Sequence, residues 1–497
     1  MKKAVVKIDK DYKLGTLRDR VFSSFVEHMG SCVYNGIYEP DHPCADEKGL
    51  RKDVLQLVKE LRLPAVRYPG GNFSSGYNWE DTVGSNRPHT LEIAWKQIEP
   101  NTFGLHEFID WLGMAGAEPI MTVNLGTHGP DQARHLLEYC NFPGGTLYSD
   151  KRRKNGAENP FDIRTWCLGN ELDGTWQIGH KTAREYGRLA AETARVMRMI
   201  DRDLELIAVG SSHNKMPSFP EWDRTMLMEC YDDVDYIALH KYINNMERDT
   251  AAYLASPLEM ESQIRDIIAT CDYVRSVKRS KKTMLLSFDE WNVAPYPSTP
   301  EPKPDWQIGP DRDKTLYRFE DALVFASMLL TLIRNADRVH IACQAILVNV
   351  LPMVVANKGG KAWRNSIYYP FLHASLYGRG EVLHVLADVP RYDCREFTDV
   401  PVLDTAAVYN MEESTVTFFV VNRGDQEQVL ELNLNGFGEI VGIHHIKYAC
   451  DLQAVNTETD PNACIPCMEE QKEFSGRVAT VSLSAYSWNV VRVRVKG

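Results

Sequence analysis

The sequence of 497 residues lacks the features that define several classes of protein. It contains no run of about 18 apolar residues, so we expect no membrane span. Basic residues are in deficit, with 56 Lys and Arg against 68 Asp and Glu, and the net charge of −12 disfavours nucleic acid as a partner. The first residues include no apolar segment as long as a signal peptide needs, and we therefore expect a cytoplasmic protein.

Spacings typical of metal sites are also scarce. Neither HxH nor HExxH occurs, which argues against a metal-dependent hydrolase. The 11 cysteines are scattered, and several lie in apolar segments where a free thiol acts as a small apolar side chain. Cys464 and Cys467 form a CxxC pair that could bind zinc with Cys450 and His444–His445, but the spacing is irregular. We expect neither a metal nor a cofactor.

From about residue 18 to 384, apolar strand-like segments alternate with amphipathic helix-like segments. Eight of each predict a (β/α)₈ TIM barrel, whose parallel strands are buried on both faces. The predicted strands cover residues 21–27, 65–69, 119–125, 163–171, 206–211, 234–242, 283–290 and 339–348. The predicted helices cover residues 50–63, 105–115, 132–140, 182–200, 220–230, 259–277, 317–334 and 368–376.

The two ends of the chain have a different pattern. Residues 385–497 contain short alternating runs separated by Gly, Asn and Asp, which predicts an antiparallel, jelly-roll-like β-sandwich. Residues 1–17 supply one or two strands that have no partner in a barrel, so we expect them to join this sandwich. Long loops are predicted over 72–100 and 293–313 of the barrel segment.

Two of the apolar strands lead into a glutamate. The segment 165–168 is followed by Gly-Asn-Glu ending at Glu171, and the segment 283–288 is followed by Asp-Glu ending at Glu290. The working residues of a TIM barrel lie at the carboxyl ends of its strands. A surface position explains either glutamate alone, but not two at matching strand ends. Paired carboxylates facing one pocket predict glycoside hydrolysis.

The two glutamates need different environments. As general acid/base, Glu171 must be protonated near neutral pH, so we expect apolar or like-charged neighbours. As nucleophile, Glu290 must be ionised, and a hydrogen bond from Tyr242 or His240 could favour that form. Asn170, beside the acid, could bind the 2-hydroxyl of the sugar.

The chain resembles glycoside hydrolase family 51, the α-L-arabinofuranosidases. The matching motifs are FVEH at 25–28, RYPGGNF at 67–73, NLGT at 124–127, WCLGNE at 166–171 and DEWN at 289–292. The resemblance implies a retaining exo-enzyme that removes terminal α-L-arabinofuranosyl units from arabinose-containing oligosaccharides, without a metal. It also implies a homo-oligomer, commonly a hexamer. Whether the natural substrate derives from arabinoxylan, arabinan or arabinogalactan is left open.

The same resemblance names sugar-binding residues. It implies that Glu27, Asn72, Asn170 and Tyr242 contact the sugar, with His240 as a further candidate. Trp95 resembles an aromatic residue that lines the family's pocket, although ordinary packing explains it equally well.

The sequence departs from the family pattern at several positions. Ile346 stands where a sugar-binding Gln is usual in the eighth strand. Gln344, two residues earlier, faces the same side of the strand and could substitute, or the contact is lost. His128 replaces the usual Arg, and Lys241 replaces the usual Gln between His240 and Tyr242. These changes affect substrate preference rather than chemistry.

Two alternatives stay open. An endo-acting β-glucanase or xylanase uses the same two carboxylates but needs an open groove, whereas a pocket closed by the loop over 72–100 favours exo action. A non-catalytic sugar-binding protein would bind sugar without turnover, and the presence of both carboxylates argues against it.

Overall fold

Eight parallel strands close into a barrel in the computed structural model, which describes residues 4–294, 306–311, 314–470 and 473–496. Each strand pairs with the next in chain order, and the eighth pairs with the first. The predicted (β/α)₈ barrel is therefore confirmed. In order, the barrel strands are Ser23–Phe25, Ala65–Tyr68, Glu118–Thr122, Thr165–Leu168, Glu205–Ala208, Tyr236–Ile243, Leu285–Val293 and Val339–Gln344.

All eight predicted helices are present, and two more occur among the described residues. The additional helices are short: Thr146 precedes Leu147–Lys154 and hydrogen-bonds Ser149, and the Asp249 carboxylate caps Thr250–Ala255 by accepting from the N–H of Ala252. Neither segment is long enough to show a clear apolar stripe. The other helices are Lys52–Glu60, Leu105–Ala115, Pro130–Asn141, Ala183–Ile200, Glu221–Cys230, Pro257–Lys278, Phe319–Arg334 and Tyr368–Tyr377.

Two predicted segments differ from the structure. The first barrel strand is only Ser23–Phe25, because Asp19–Phe22 forms a 3₁₀ turn that leads into the barrel. The predicted loop over 72–100 contains two 3₁₀ turns and a hairpin of Thr90–Glu92 with Gln97–Glu99. The turn of that hairpin carries Trp95 above the barrel. Further hairpins pair Val354–Ala356 with Ala362–Arg364 and Arg391–Cys394 with Phe397–Pro401.

The two chain ends form one sandwich of two sheets, as predicted. Ala4–Asp9 runs parallel to Gln428–Asn435, whereas the other strand pairs are antiparallel. No hairpin connects these two strands, so no turn dictates their relative direction. The first sheet contains Leu386–Asp388, Ala4–Asp9, Gln428–Asn435, Val478–Leu483 and Glu473–Ser475. The second contains Lys13–Leu17, Gly380–Leu383, Leu403–Asn410, Thr415–Asn422, Ser487–Val495, Ile440–Tyr448 and Cys467–Glu469.

The division of the chain into 1–17, 18–384 and 385–497 stays a prediction. Gly380–Leu383 pairs with Lys13–Leu17 and with Leu403–Asn410, so sandwich pairing begins a few residues before 385. This strand follows the last barrel helix closely, and its short apolar run does not distinguish the two domains.

The remaining sequence expectations concern cysteines and one loop. Cys450 and Cys464, which were weighed as zinc ligands, form a disulfide bond, and Cys467 is free and exposed. The loop predicted over 293–313 lies for the most part outside the described residues. Among the helices that the structure describes, none combines the length and apolar character needed to cross a bilayer.

The seven-stranded sheet packs on both faces. Phe418 and Val420 point into the sandwich core, whereas their neighbour Phe419 belongs to the core shared with the barrel. This alternation follows from the two-residue period of a strand. On the barrel side, the Trp488 ring stacks on Phe419 with ring centres 5.6 Å apart, and its indole N–H donates to His373 of the last barrel helix at 3.1 Å.

We predict that Trp488→Ala lowers the free energy of unfolding by about 3–5 kcal/mol, the usual cost of removing a fully buried tryptophan. Urea denaturation followed by circular dichroism measures the change. Tyr273→Ala, at an exposed aromatic residue on a surface helix, is the control and should change the free energy by less than about 1 kcal/mol. Equal effects at both positions would contradict a structural role for this contact.

Candidate active site

Glu290 lies within the seventh barrel strand, and its carboxylate is hydrogen-bonded at both oxygens. Arg67 Nη1 donates to Oε1 at 2.8 Å, and the Tyr242 hydroxyl donates to Oε2 at 2.9 Å. The hydrogen bond predicted for Glu290 is therefore present, and it comes from Tyr242 rather than from His240.

Arg67 connects the tips of three strands. Its guanidinium is fully buried and donates to Asn170 Oδ1 at 2.7 Å as well as to Glu290, while Nε lies 3.4 Å from Asp289 Oδ2. Burial alone would lower the pKa of Arg67, but the charges of Asp289 and Glu290 outweigh it and raise that pKa well above its usual value. Arg67 is thus a permanent cation, and it fixes the positions of Asn170 and Glu290.

Glu171 follows the fourth barrel strand and has a left-handed backbone, with φ of +42°. A non-glycine residue rarely adopts this conformation, and such strain is common at functional sites. Its carboxylate oxygen Oε1 lies 3.0 Å from His240 Nδ1, and Oε2 accepts from the half-exposed Trp176 indole at 2.8 Å. The other ring nitrogen of His240 lies 3.1 Å from Asp289 Oδ1.

These contacts differ in part from the expectation for Glu171: Glu290 is a like-charged neighbour, but the carboxylate is hydrogen-bonded to His240 and to the Trp176 indole rather than surrounded by apolar groups. Burial raises the pKa of Glu171, but the hydrogen bond and charge of His240 and the Trp176 indole lower it, so that the net direction is downward. Conversely, burial lowers the pKa of His240, while Glu290, Asp289 and Glu171 together raise it well above the usual value. In the free protein the proton of this pair lies on His240, one hydrogen bond from Glu171.

The two predicted catalytic carboxylates are close together. One oxygen of Glu171 and one of Glu290 lie within 4.8 Å of each other, with a ring nitrogen of His240 equally close. Such a trio could in principle bind a cation, but both ring nitrogens of His240 are hydrogen-bonded to carboxyl groups, and the raised pKa of His240 favours the doubly protonated ring, which cannot bind a metal. The spacing is close to the about 5–5.5 Å of retaining glycosidases and shorter than that of inverting ones.

Glu27 lies just beyond the first barrel strand and is buried. Its Oε1 accepts from the backbone N–H of Phe73 at 2.9 Å and from the Trp95 indole at 3.0 Å. Burial, followed by the charge of Glu290, raises the pKa of Glu27 to about 8. At neutral pH Glu27 is therefore mostly protonated and can donate a hydrogen bond from its other oxygen.

Gly71 marks the point where the predicted sugar contacts converge. A Cβ at this position would lie 2.9 Å from Glu290 Oε1, 3.3 Å from Asn170 Nδ2 and 3.4 Å from Glu27 Oε2. Asn72 is next in the chain, and its Oδ1 is 3.5 Å from Asn170 Nδ2. Any larger residue at 71 would press on the carboxylate that Arg67 fixes, so glycine is required here.

Gln344 is not part of this cluster. Its side chain is fully buried, accepts from the Ser24 hydroxyl at 3.0 Å and donates to the carbonyls of Ile346 and Leu351. The amide is therefore hydrogen-bonded to the first strand and to the segment that follows the eighth. In the described part of the chain, no hydrogen bond links it to the carboxylates of Glu171 or Glu290. The geometry does not support substitution of Gln344 for the usual glutamine.

Sequence reasoning missed three residues that shape the site. Arg67 and Asp289 are charged residues at buried positions of two strands. A charged residue in a strand that is buried on both faces is a signal that the sequence does contain. Trp176 lies in a loop, where nothing in the sequence indicates that its indole reaches Glu171.

The comparisons with known proteins agree with this geometry. Residues 57–254 match the model of the alpha-L-arabinofuranosidase 1 domain, and residues 289–487 match that of the alpha-L-arabinofuranosidase C-terminal domain. An intracellular exo-α-(1→5)-L-arabinofuranosidase from Bacillus subtilis is 49% identical over 99% of both chains. A protein of the same description from Acetivibrio thermocellus is 48% identical over 99% of this chain and 100% of its own.

A solved structure extends the comparison to the fold. A family 51 α-L-arabinofuranosidase from Bifidobacterium longum superposes with a TM-score of 0.94 at 36% identity, covering 99% of both chains. The identity of nearly half and this superposition each extend over 99% of the chain. The chain belongs to glycoside hydrolase family 51, the α-L-arabinofuranosidases.

Proposed function

We propose that this protein is a retaining exo-α-L-arabinofuranosidase that removes terminal, non-reducing α-L-arabinofuranosyl residues from arabinose-containing oligosaccharides. The observation that carries the proposal is the pair Glu171 and Glu290, with carboxylate oxygens within 4.8 Å, at the carboxyl ends of barrel strands. The relatives that are almost half identical over their full length are named exo-arabinofuranosidases, and this disfavours an endo-acting β-glucanase or xylanase.

Glu290 is the proposed nucleophile. Its oxygens are fixed by hydrogen bonds from Arg67 and Tyr242, so that the carboxylate is oriented before the sugar arrives. Attack on the anomeric carbon forms a covalent glycosyl ester and breaks the bond to the glycosidic oxygen. Water then attacks the same carbon from the opposite side and releases Glu290.

Glu171 is the proposed acid/base. It protonates the departing oxygen in the first step and removes a proton from water in the second. The proton that it needs lies on His240 in the free protein and can reach Glu171 across their 3.0 Å hydrogen bond. Asp289, on the far side of the ring, fixes the orientation of His240.

The sugar is proposed to bind among Glu27, Asn72, Asn170 and Trp95. Arg67 orients the Asn170 amide by donating to its oxygen, and of the two N–H groups of the amide one faces Asn72 at 3.5 Å and the other is available for the 2-hydroxyl. Protonated Glu27 can donate to one hydroxyl, so that the sugar meets donors as well as acceptors.

Two further properties are proposed, location and assembly. An intracellular location is supported by the names of the relatives from B. subtilis and A. thermocellus. A homo-oligomer, a hexamer by family resemblance, stays a prediction that light scattering can measure.

The first prediction concerns turnover itself. Wild-type protein should release nitrophenol from the α-L-arabinofuranoside and much more slowly from the β-D-xyloside and β-D-glucoside, because its relatives of almost half identity are named arabinofuranosidases. Glu290→Ala should retain less than about a hundredth of this activity, because no covalent intermediate can form. Comparable rates on all three glycosides would contradict the substrate, and a larger residual rate would contradict the nucleophile.

A second prediction separates the acid from the nucleophile. Glu171→Ala should reduce kcat/KM about 10²–10⁴-fold on an arabino-oligosaccharide, but far less on a dinitrophenyl arabinofuranoside whose leaving group needs no proton. The control is Asp173→Asn, because the Asp173 carboxylate accepts a hydrogen bond from the backbone N–H of Ser212 and is not one of the two paired carboxylates. An equal loss on both substrates would rule out Glu171 as the acid.

A third prediction follows from the charge on His240. Because the pKa of His240 is raised, the ring keeps the proton that it shares with Glu171 as the pH rises. Without the imidazole, that proton must reside on Glu171, which loses it at a lower pH. The alkaline limb of kcat/KM, which reports the free enzyme, should therefore move to lower pH in His240→Gln. The control is His213→Gln, at a histidine that stacks on Trp176, and it should leave the alkaline limb in place. If the limb does not move in His240→Gln, then His240 does not hold the proton.

A further inference from the structure

A cavity of about 290 Å³ opens beside Glu171. Tyr242 also lines it, but Glu290 is not part of its wall. The rest of the wall is mostly polar and includes Asn214, Lys241 and Glu259. Its size is near the lower end of ligand pockets, and a polar wall suits a molecule that is rich in hydroxyl groups.

The proposed reaction determines what can occupy this cavity. Glu290 attacks the anomeric carbon from one side, while Glu171 protonates the oxygen that leaves on the other. Whatever is attached through that oxygen must therefore lie on the Glu171 side. The cavity contains Glu171 in its wall and lacks Glu290, so it is on the leaving-group side of the reaction.

Lys241 is the unusual residue of the cavity wall. It is only 4% exposed, and its ammonium donates to Glu259 Oε2 at 2.7 Å and to Asn214 Oδ1 at 3.0 Å. Lys215 also approaches Glu259, at 3.3 Å, so that Glu259 is shared by two cations. An ammonium has three donors, and within the described residues only these two are used. One N–H is left for a molecule in the cavity.

We propose that this cavity binds the sugar to which the arabinofuranosyl unit is attached, and that Lys241 determines specificity by donating a hydrogen bond to a hydroxyl of that sugar. This inference rests on the proposed function. Asn214 and Glu259 position the ammonium, and the third donor selects a leaving group that carries a hydroxyl. A site built to bond a hydroxyl discriminates strongly against a group that lacks one.

The sequence position fits such a role. Lys241 directly follows His240 in the sixth strand. Successive side chains of a strand point to opposite faces, so one strand supplies His240 to the acid/base pair and Lys241 to the leaving-group cavity. The family pattern has a neutral Gln at this position. Exchange of an amide for a buried cation alters which leaving sugar is preferred and leaves the carboxylate chemistry unchanged.

The test is a binding measurement on the Glu290→Ala background, in which neither ligand is cleaved. Isothermal titration calorimetry compares methyl α-L-arabinofuranoside with an α-(1→5)-linked arabinofuranosyl disaccharide. Lys241→Met should weaken disaccharide binding about tenfold to a hundredfold, the range for a hydrogen bond to a charged group. Binding of the methyl glycoside, which has no second sugar, should change less than about twofold.

Lys241→Gln is a second variant in case the methionine prevents folding, and it should retain part of the disaccharide affinity because its amide also donates. Lys151→Met is the matched control, since Lys151 pairs with Glu80 at 2.5 Å outside the cavity. Equal weakening of both ligands, or of neither, by the Lys241 variants would overturn the role of Lys241. If the methyl glycoside fails to bind even with Lys241 present, the proposed function is wrong, and this inference with it.

Discussion

The buried guanidinium of Arg67 is the interaction on which the site depends. It lies where three strand tips meet and contacts Asn170, Asp289 and Glu290. A buried cation is costly unless carboxylates surround it, and buried carboxylates are equally costly without a cation. The closed barrel makes this arrangement possible, because eight hydrogen-bonded strands fix the tips from which these side chains extend.

The same charges set the chemistry. Two cations, Arg67 and His240, lie among the carboxylates of Glu171, Asp289 and Glu290. When Glu290 becomes an ester during the proposed reaction, one negative charge is removed from this group. The surroundings of Glu171 then become more positive, which favours its ionised form at the stage where a base is required. One carboxylate can thus be acid and base in turn, because its neighbour changes charge.

The carboxylate site in the barrel and the β-sandwich have different roles. The sandwich contributes no side chain to the carboxylate cluster among the described residues, and its seven-stranded sheet packs on the barrel through Phe419 and Trp488. Both chain ends are therefore fixed in one domain that supports the barrel from outside. Loops beyond the strand ends supply indole donors to the site instead: Trp95 of the 90–99 hairpin donates to Glu27, and Trp176, after the fourth strand, donates to Glu171.

The sequence by itself determined the barrel, the sandwich from both chain ends and the two glutamates. Strand burial and strand-end chemistry are local properties, so apolar runs that end in Asn170-Glu171 and Asp289-Glu290 are visible without a fold. Short elements such as Leu147–Lys154 and Gly380–Leu383 were not, because tertiary contacts stabilise them more than their own sequence does.

Only the tertiary structure decided which charges meet. Arg67, His240 and Asp289 come from three strands that are far apart in the chain, and the contact of His240 with Glu171 places an opposite charge where only apolar or like-charged neighbours were expected. Electrostatic interactions depend on distances of a few ångströms between such residues, and no sequence pattern specifies those distances. The sequence shows which groups are available for catalysis, whereas the fold determines which of them carries the proton.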